Sequence, residues 1–195
     1  MKKKLLVVVD MQNDFVSGSL GTKEAQSIVD NVYNKIVQYC SEGQSIVFTK
    51  DTHRENYLQT QEGKNLPIEH CIKGTWGWEI VDEIKDFAGN DRKECFGFET
   101  DAVYQKETFG SYELADDLCI TDERFEEIEF VGLCTDICVI SNVLGAKANV
   151  DKNTLISVDA SCCAGVTPEA HDHAIAVMKS CQVKIYNEGK EPWRN

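Results

Sequence analysis

The chain has 195 residues, of which 42% are hydrophobic and 27% charged, a composition typical of a globular protein with a sizeable core. Its formal net charge of −13 argues against a nucleic-acid or anionic-membrane partner, because both require a concentrated basic surface. The nine cysteines are odd in number and scattered, which favours free thiols in a reducing compartment over a disulfide scaffold.

The amino terminus carries three lysines followed by an apolar run at residues 5–9. This run is shorter than the roughly 7 to 15 apolar residues of a signal peptide, and no stretch approaches the roughly 20 residues of a membrane span. No repeat or linker divides the sequence. We therefore expect a soluble, cytoplasmic protein in which residues 1–195 form a single domain.

Short apolar runs alternate with amphipathic stretches along the chain. This alternation predicts an α/β fold with a parallel sheet covered by helices on both faces. No G-x-G-x-x-G motif follows the first strand, which argues against a dinucleotide-binding version of that fold. A long segment at 51–77 fits neither period, and a loop of that length is usually functional. The predicted strands are 5–9, 45–49, 102–105, 127–131, 155–158 and 183–186, and the predicted helices are 24–39, 138–148 and 168–179.

Polar residues follow several of the predicted strands. In open α/β sheets ligands bind outside the carboxyl ends of the strands, so these residues should meet at one edge. A carboxylate, an ammonium, a thiol and a possible metal cluster are then brought together. The residues concerned are Asp10 after the first strand, Lys50, Asp51 and His53 after the second, Lys106 after the third, and 132–138 after the fourth.

Cys138 is the candidate nucleophile among these residues. It should lie near a helix N-terminus, where the helix dipole favours a thiolate and backbone N–H groups can bind an oxyanion; the alternative is one more buried cysteine. Asp10 is either a capping residue or a general base with a raised pKa, and Lys106 would stabilise both charged groups. His171 and His173 lie on the last predicted helix, where we expect solvent-facing or capping roles.

A second group of residues could bind a metal ion. Asp51 and His53 form an Asp-x-His pair at a strand exit, and Glu62 and His70 come from the long loop. Two carboxylates and two imidazoles suit Zn²⁺, Mn²⁺ or Fe²⁺. Cys71 is not expected to join them, because adjacent residues of an extended chain point in opposite directions.

Four motifs together resemble the nicotinamidase branch of the isochorismatase-like cysteine hydrolases. They span nearly the whole chain in the family's order: Val-Val-Asp-Met-Gln-Asn-Asp-Phe at 8–15, Asp-Thr-His at 51–53, Lys106, and Gly-Leu-Cys-Thr-Asp-Ile-Cys-Val at 132–139. The resemblance implies a three-layer α/β/α fold around a central six-stranded parallel sheet.

The resemblance also implies a catalytic triad of Asp10, Lys106 and Cys138. It implies a cis peptide bond between Leu133 and Cys134, and an oxyanion hole made by the backbone N–H groups of Cys134 and Cys138. The implied reaction is hydrolysis of nicotinamide to nicotinate and ammonia through a thioester, in pyridine nucleotide salvage. Cys138 argues against isochorismate hydrolysis, because the branch with that activity lacks the cysteine.

The metal ligands implied by the resemblance are Asp51, His53, Glu62 and His70, with zinc favoured and manganese or iron as alternatives. A small-molecule amide is the expected partner, and the family permits a homo-oligomer. Two other functions stay open. The first is an amidohydrolase of an N-carbamoyl or ureido substrate, which needs no metal. The second is a non-catalytic thiol sensor, which the intact Asp10 and Lys106 pair disfavours.

The sequence departs from the family at the residues just before His70. Nicotinamidases usually place an aromatic residue there to stack on the pyridine ring, whereas this chain has Leu-Pro-Ile-Glu at 66–69. Phe15, Trp76 and Phe109 are the candidate substrate-binding residues that could supply aromatic contacts, with core packing as the alternative. The substrate is therefore less constrained by the sequence than the catalytic residues.

Overall fold

A computed structural model describes residues 3–88, 103–121 and 125–194. Six parallel strands form one sheet in the order β3-β2-β1-β4-β5-β6, so the predicted α/β fold with a six-stranded parallel sheet is confirmed. The strands are β1 Lys4–Val9, β2 Ser45–Asp51, β3 Val103–Lys106, β4 Glu127–Leu133, β5 Leu155–Ala164 and β6 Lys184–Tyr186.

Helices cover both faces of this sheet. None of the helices in the described ranges is long and apolar enough to cross a membrane. The α-helices are α1 Asn13–Val16, α2 Lys23–Ser27, α3 Val29–Ser41, α4 Gln61–Asn65, α5 Tyr112–Thr121, α6 Ile140–Asn149 and α7 Pro168–Ser180, with 3₁₀ turns at Tyr57–Gln59, Lys85–Phe87 and Pro192–Arg194 and a π-helical turn at Thr135–Val139.

Strand β1 lies at the centre of the sheet, between β2 and β4. Its residues Leu5, Val7 and Val9 pack into one hydrophobic cluster, and Leu6 and Val8 pack into the other cluster on the opposite face. A strand covered on both faces has no solvated side, which explains its unbroken apolar run. Each cluster fills the space between the sheet and the helices that cover one of its faces.

Several elements differ from their sequence-based prediction. The helix predicted at 24–39 is two helices, α2 and α3, which meet at Ile28. Strand β5 continues to Ala164 and takes in the buried pair Cys162 and Cys163, which agrees with a packing role. The short helices α1 and α4 and the helix α5 have no predicted counterpart. The predicted start of the third strand, Ala102, lies outside the described residues.

The strand registers bring the predicted polar residues to one edge of the sheet. Val9 pairs with Thr49 on one side and with Gly132 on the other, and Asp51 pairs with Lys106. Gly132 has φ +115°, and a Cβ there would lie 2.1 Å from the carbonyl oxygen of Val9. Glycine is therefore required for β4 to pass this close to β1 before the turn that carries the thiol.

Candidate active site and metal centre

Lys106 is the centre of the buried charges at this edge. Its Nζ lies 2.6 Å from Oδ2 of Asp10 and donates to Sγ of Cys138 at 3.6 Å. The three side chains are almost fully buried. Burial lowers the pKa of Lys106, but Asp10 and Cys138 raise it more, so the net pKa shift is upward. The lysine therefore stays a cation and bridges the two other groups.

Asp10 follows β1 with a left-handed φ of +48°. Its Oδ1 accepts a hydrogen bond of 2.6 Å from the hydroxyl of Thr49, and its backbone N–H donates to the carbonyl of the same residue. Burial raises the pKa of Asp10, and Lys106 only partly offsets that rise. A carboxylate with a raised pKa is suited to accept a proton and return it. The geometry thus fits the predicted base.

Cys138 lies in the π-helical turn Thr135–Val139 that leads into α6, close to the predicted helix start. The peptide bond between Leu133 and Cys134 is cis. Burial raises the pKa of Cys138 well above its ordinary value, and the carboxylate of Asp10 adds to the rise against the opposing effect of Lys106. Burial and Asp10 therefore oppose the thiolate that the helix N-terminus is expected to favour, and Lys106 supports it.

The four predicted metal ligands converge beside the lysine. Nε2 of His53 and Nε2 of His70 lie 3.0 and 3.5 Å from Oδ2 of Asp51, and both lie 3.7 Å from Oε1 of Glu62. Ligand atoms of Asp51, His53 and His70 all lie within 4.8 Å of one another. Oδ1 of Asp51 is 3.5 Å from Nζ of Lys106, so the cluster adjoins the thiol site.

The donor atoms of this cluster suit a divalent cation. Nε2 of His53 is buried and has no hydrogen-bond partner, although a carboxylate oxygen of Asp51 lies nearby. Nδ1 of His70 donates to the carbonyl of Ile68 at 2.8 Å, which leaves the Nε2 lone pair directed at the cluster; a second hydrogen bond of this kind is usual for metal-binding histidines. Nitrogen and oxygen donors in this ratio match zinc, manganese or iron.

Tyr57 supports the two imidazoles and was not predicted from the sequence. Its ring is fully buried, with centroids 4.6 Å from His53 and 4.9 Å from His70. Its hydroxyl donates to the carbonyl of Leu66 at 2.9 Å. The sequence signal is weak, because a tyrosine four residues after an Asp-x-His pair has no distinctive spacing.

The polar residues of the 8–15 motif hold the long loop in place. The side-chain amide of Gln12 accepts from the backbone N–H of Asp51 and donates to the backbone carbonyls of Asp51 and Trp78. Oδ2 of Asp14 accepts from the backbone N–H of Cys71 at 2.8 Å. These bonds fix the backbone beside the predicted ligands Asp51 and His70. The motif therefore supplies the candidate base Asp10 and also positions the metal-binding loop.

A cavity of about 460 Å³ opens beside Cys138 and the metal cluster. Its wall includes the predicted aromatic residues Phe15 and Phe109 and also Leu66, the first residue of the segment that lacks the family's aromatic. Most of the remaining wall is aliphatic, and α4 adds two amides. These additional lining residues include Leu20, Ala25, Gln61, Asn65, Leu133, Ile137 and Val166.

Three sequence-based expectations are wrong. Trp76 does not line this cavity: its side chain is 63% exposed and borders a separate groove together with Lys50. Lys50 points away from the thiol, because neighbouring strand residues alternate faces, and its Nζ contacts Glu79 at 3.0 Å. His171 is not solvent-facing, because its side chain is fully buried, and it is not a cap, because its ring nitrogens contact the side chains of Thr135 and Glu191.

Comparison with known proteins agrees with this geometry. A model of the isochorismatase domain matches residues 4–187. The chain is 25% identical to a nicotinamidase of Saccharomyces cerevisiae over 78% of this chain and 85% of that protein. It is 26% identical to a nicotinamidase of Escherichia coli over 92% and 91% of the two chains. Its structure superposes on that of a pyrazinamidase of Pyrococcus horikoshii in complex with zinc, with a TM-score of 0.73, 27% identity and coverage of 94% and 98%.

Proposed function

Because this chain belongs to the isochorismatase family, we propose that it is a cysteine-dependent amidohydrolase and that nicotinamide is its substrate. The observation that carries the proposal is the buried contact of Lys106 with both Asp10 and Cys138, at one end of a largely apolar cavity. A thiol, a carboxylate and a fixed cation beside such a cavity support nucleophilic attack on a small carboxamide bound there. We also infer that residues 1–195 form one such domain.

In the first half of the reaction, Asp10 takes the proton of Cys138 as the sulfur adds to the carboxamide carbon. The backbone N–H groups of Cys134 and Cys138 hold the resulting oxyanion. When the carbon–nitrogen bond breaks, Asp10 returns the proton to the leaving nitrogen, which departs as ammonia. Lys106 stays charged and stabilises the anionic forms of both groups. The acyl group is left as a thioester on Cys138.

In the second half, Asp10 takes a proton from water as the water oxygen adds to the thioester carbon. The same N–H groups hold the second oxyanion. Its collapse breaks the carbon–sulfur bond, and the proton on Asp10 passes to the departing sulfur. Nicotinic acid is released and loses its remaining proton to water as nicotinate, and the thiol and the Asp10 carboxylate are restored.

Asp51, His53, Glu62 and His70 would hold a divalent metal, for which the zinc-containing Pyrococcus relative favours zinc. When bound, the ion would act as a Lewis acid and would help to orient the substrate. The chain's own contribution is to hold the donor atoms in place through Tyr57 and the carbonyl of Ile68. The wall formed by Phe15, Leu66 and Phe109 excludes water from the face of the ring.

The cavity wall favours an uncharged amide over the N-carbamoyl or ureido alternative. Acids of those classes carry a carboxylate, which proteins usually bind with arginine or lysine. Among the described residues that line the cavity there is neither, and Lys106 is paired with Asp10. A thiol sensor would have no use for a base and a cation bridged in this way, so we rank it below both hydrolases.

The test is ammonia release from nicotinamide by the purified protein, with its bound metal quantified. An N-carbamoyl amino acid serves as the second substrate. Cys138→Ala should abolish release and keep its metal content, whereas Cys181→Ala, at an exposed thiol, should behave as wild type. No release from metal-loaded wild type would overturn the nicotinamide proposal. Release that persists in Cys138→Ala would overturn the cysteine mechanism.

A further inference from the structure

His171 lies on α7 with no exposed surface, and both of its ring nitrogens have partners. Nδ1 is 2.8 Å from the hydroxyl of Thr135, and Nε2 is 3.3 Å from Oε1 of Glu191. Thr135 and Glu191 are also buried. Thr135 opens the π-helical turn that carries Cys138. A continuous buried chain of polar groups therefore runs from the carboxyl-terminal segment to the nucleophile's turn, and the proposed reaction uses none of it.

The direction of these hydrogen bonds follows from the charge states. Burial raises the pKa of Glu191, but Arg194 and backbone N–H donors lower it more, so the carboxylate is ionised and can only accept. Burial lowers the pKa of His171 more than Glu191 raises it, so the imidazole is neutral. Nε2–H then donates to Glu191, and Nδ1 accepts from Thr135. The hydroxyl hydrogen of Thr135 therefore points at Nδ1 of His171.

A second contact ties the same turn to the same part of the chain. Oδ1 of Asp136, the next residue of the turn, accepts from the backbone N–H of Val166 at 3.0 Å. Gly165 packs so closely there that a Cβ would lie 2.8 Å from Oδ1 of Asp136 and from the backbone nitrogen of His171. The first two residues of the turn are therefore held by the 165–171 segment.

The carboxyl-terminal segment is anchored from several sides. The ring of Trp193 packs edge-on against His171, at 5.1 Å between centroids. Arg194 forms ion pairs with Glu191 and with Asp172 on α7. The 3₁₀ turn Pro192–Arg194 also contacts α2, which contributes Ala25 to the cavity wall. The carboxylate behind His171 is consequently fixed in position.

We propose that His171, backed by Glu191, is a positioning residue that orients the hydroxyl of Thr135 and so fixes the turn that aims Cys138 at the substrate. It touches no reacting atom and acts through Thr135. The inference rests on the proposed function in naming Cys138 as the nucleophile. Because thiol reactivity can be measured without any amide substrate, the two can fail separately.

The experiment compares Thr135→Val, Thr135→Ser and His171→Phe with two matched controls. Thr154→Val removes a buried hydroxyl that donates to the carbonyl of Phe125, just before the amino ends of β4 and β5 and therefore at the opposite edge of the sheet from this turn. His173→Gln changes an exposed histidine of the same helix. Each variant is measured for kcat and KM on nicotinamide, for the rate at which iodoacetamide alkylates the Cys138 peptide by mass spectrometry, and for its unfolding temperature.

We expect Thr135→Val and His171→Phe to lower kcat by about fivefold or more, the effect of one lost hydrogen bond, with little change in KM. The same variants should alkylate Cys138 more slowly, because its sulfur is displaced from Lys106. Thr135→Ser should restore most of kcat, and the two controls should match wild type. If His171→Phe fails to fold, the Thr135 pair still decides the question.

Equal kcat and alkylation rates in Thr135→Val and wild type would overturn the proposal. Equal losses in Thr135→Val and Thr135→Ser would also overturn it, because the hydroxyl would then be irrelevant. If the wild-type protein releases no ammonia, the proposed function fails. The alkylation rates of Cys138 alone then decide the positioning role, by the same comparison.

Discussion

Lys106 donates a hydrogen bond to the sulfur of Cys138 across 3.6 Å, in a setting where both side chains are buried. The same ammonium pairs with Asp10. A cation shared by two groups that must exchange a proton stabilises whichever of them is negative. Its removal should therefore affect both groups at once.

We expect Lys106→Met to lower kcat on nicotinamide by about 100-fold or more, the usual effect of losing one buried electrostatic contact to the reacting groups. Without the cation the pKa values of Asp10 and Cys138 should both rise further. The check is the pH dependence of Cys138 alkylation, whose midpoint should move to higher pH. An unchanged midpoint in a folded variant would contradict this role for the lysine.

The hydroxyl of Thr49 donates to Oδ1 of Asp10 at 2.6 Å and stabilises the ionised carboxylate. Thr49→Val should raise the pKa of Asp10 further, because the hydrogen bond from the hydroxyl no longer stabilises the carboxylate. Because the base works only when ionised, activity is lost as the pH falls through its pKa. The acid limb of the kcat/KM profile should therefore shift to higher pH, while Thr154→Val leaves it in place. A shift to lower pH would refute the assignment.

Metal content tests the histidine and carboxylate cluster directly. Asp51→Asn and His70→Asn should lose most of the roughly one equivalent of divalent metal expected for such a site, as measured by elemental mass spectrometry. Glu62→Gln should bind more weakly but retain some metal, because an amide oxygen can still ligate. The control Glu107→Gln changes an exposed carboxylate that pairs with Arg54. Full metal content in Asp51→Asn would exclude the proposed site.

Two half-exposed or exposed aromatic residues offer a matched test of the substrate cavity. Phe109 is 47% exposed and lines the cavity, whereas Trp76 is 63% exposed and lies outside it. Phe109→Ala should raise KM for nicotinamide several-fold through lost apolar contact, and Trp76→Ala should leave KM unchanged. The reverse result would place the ring of the substrate in the other groove.

The family model and the nicotinamidase relatives together confirm the predicted isochorismatase-like hydrolase of carbon–nitrogen bonds; the two curated relatives reported above are 25–26% identical to this chain. The strand alternation was also predicted correctly, because apolar runs such as 5–9 are a local property of the sequence. The helix boundaries were predicted less well. Ile28 keeps the period of one long helix in the sequence, although the structure divides the segment there into α2 and α3.

The candidate site also has one part that the sequence predicts and another part that it does not. Asp10, Asp51, His53, Lys106 and Cys138 could be named from the sequence because each lies at or shortly after the carboxyl end of a strand, and the carboxyl ends of parallel strands lie at the same edge of the sheet. The residues that contact and support these side chains could not be predicted from the sequence. The hydroxyl of Thr49 reaches Asp10 from a different strand, which no local pattern encodes. Tyr57 is close to His53 in the chain, but its spacing is not distinctive.

His171 shows the limit most clearly. On α7 it has the spacing of an ordinary helix residue, and from the sequence we expected a solvent-facing or capping role. Only the packing of the carboxyl-terminal segment against that helix shields His171 from solvent and brings Glu191 to its Nε2. The sequence by itself determined the parallel sheet and the residues at its edge, because the hydrophobic period and the alternation of strands and helices can be read directly along the chain. Tertiary structure alone decided the burial of His171 and the hydrogen-bond partners of the site residues, because these depend on segments that meet only after folding.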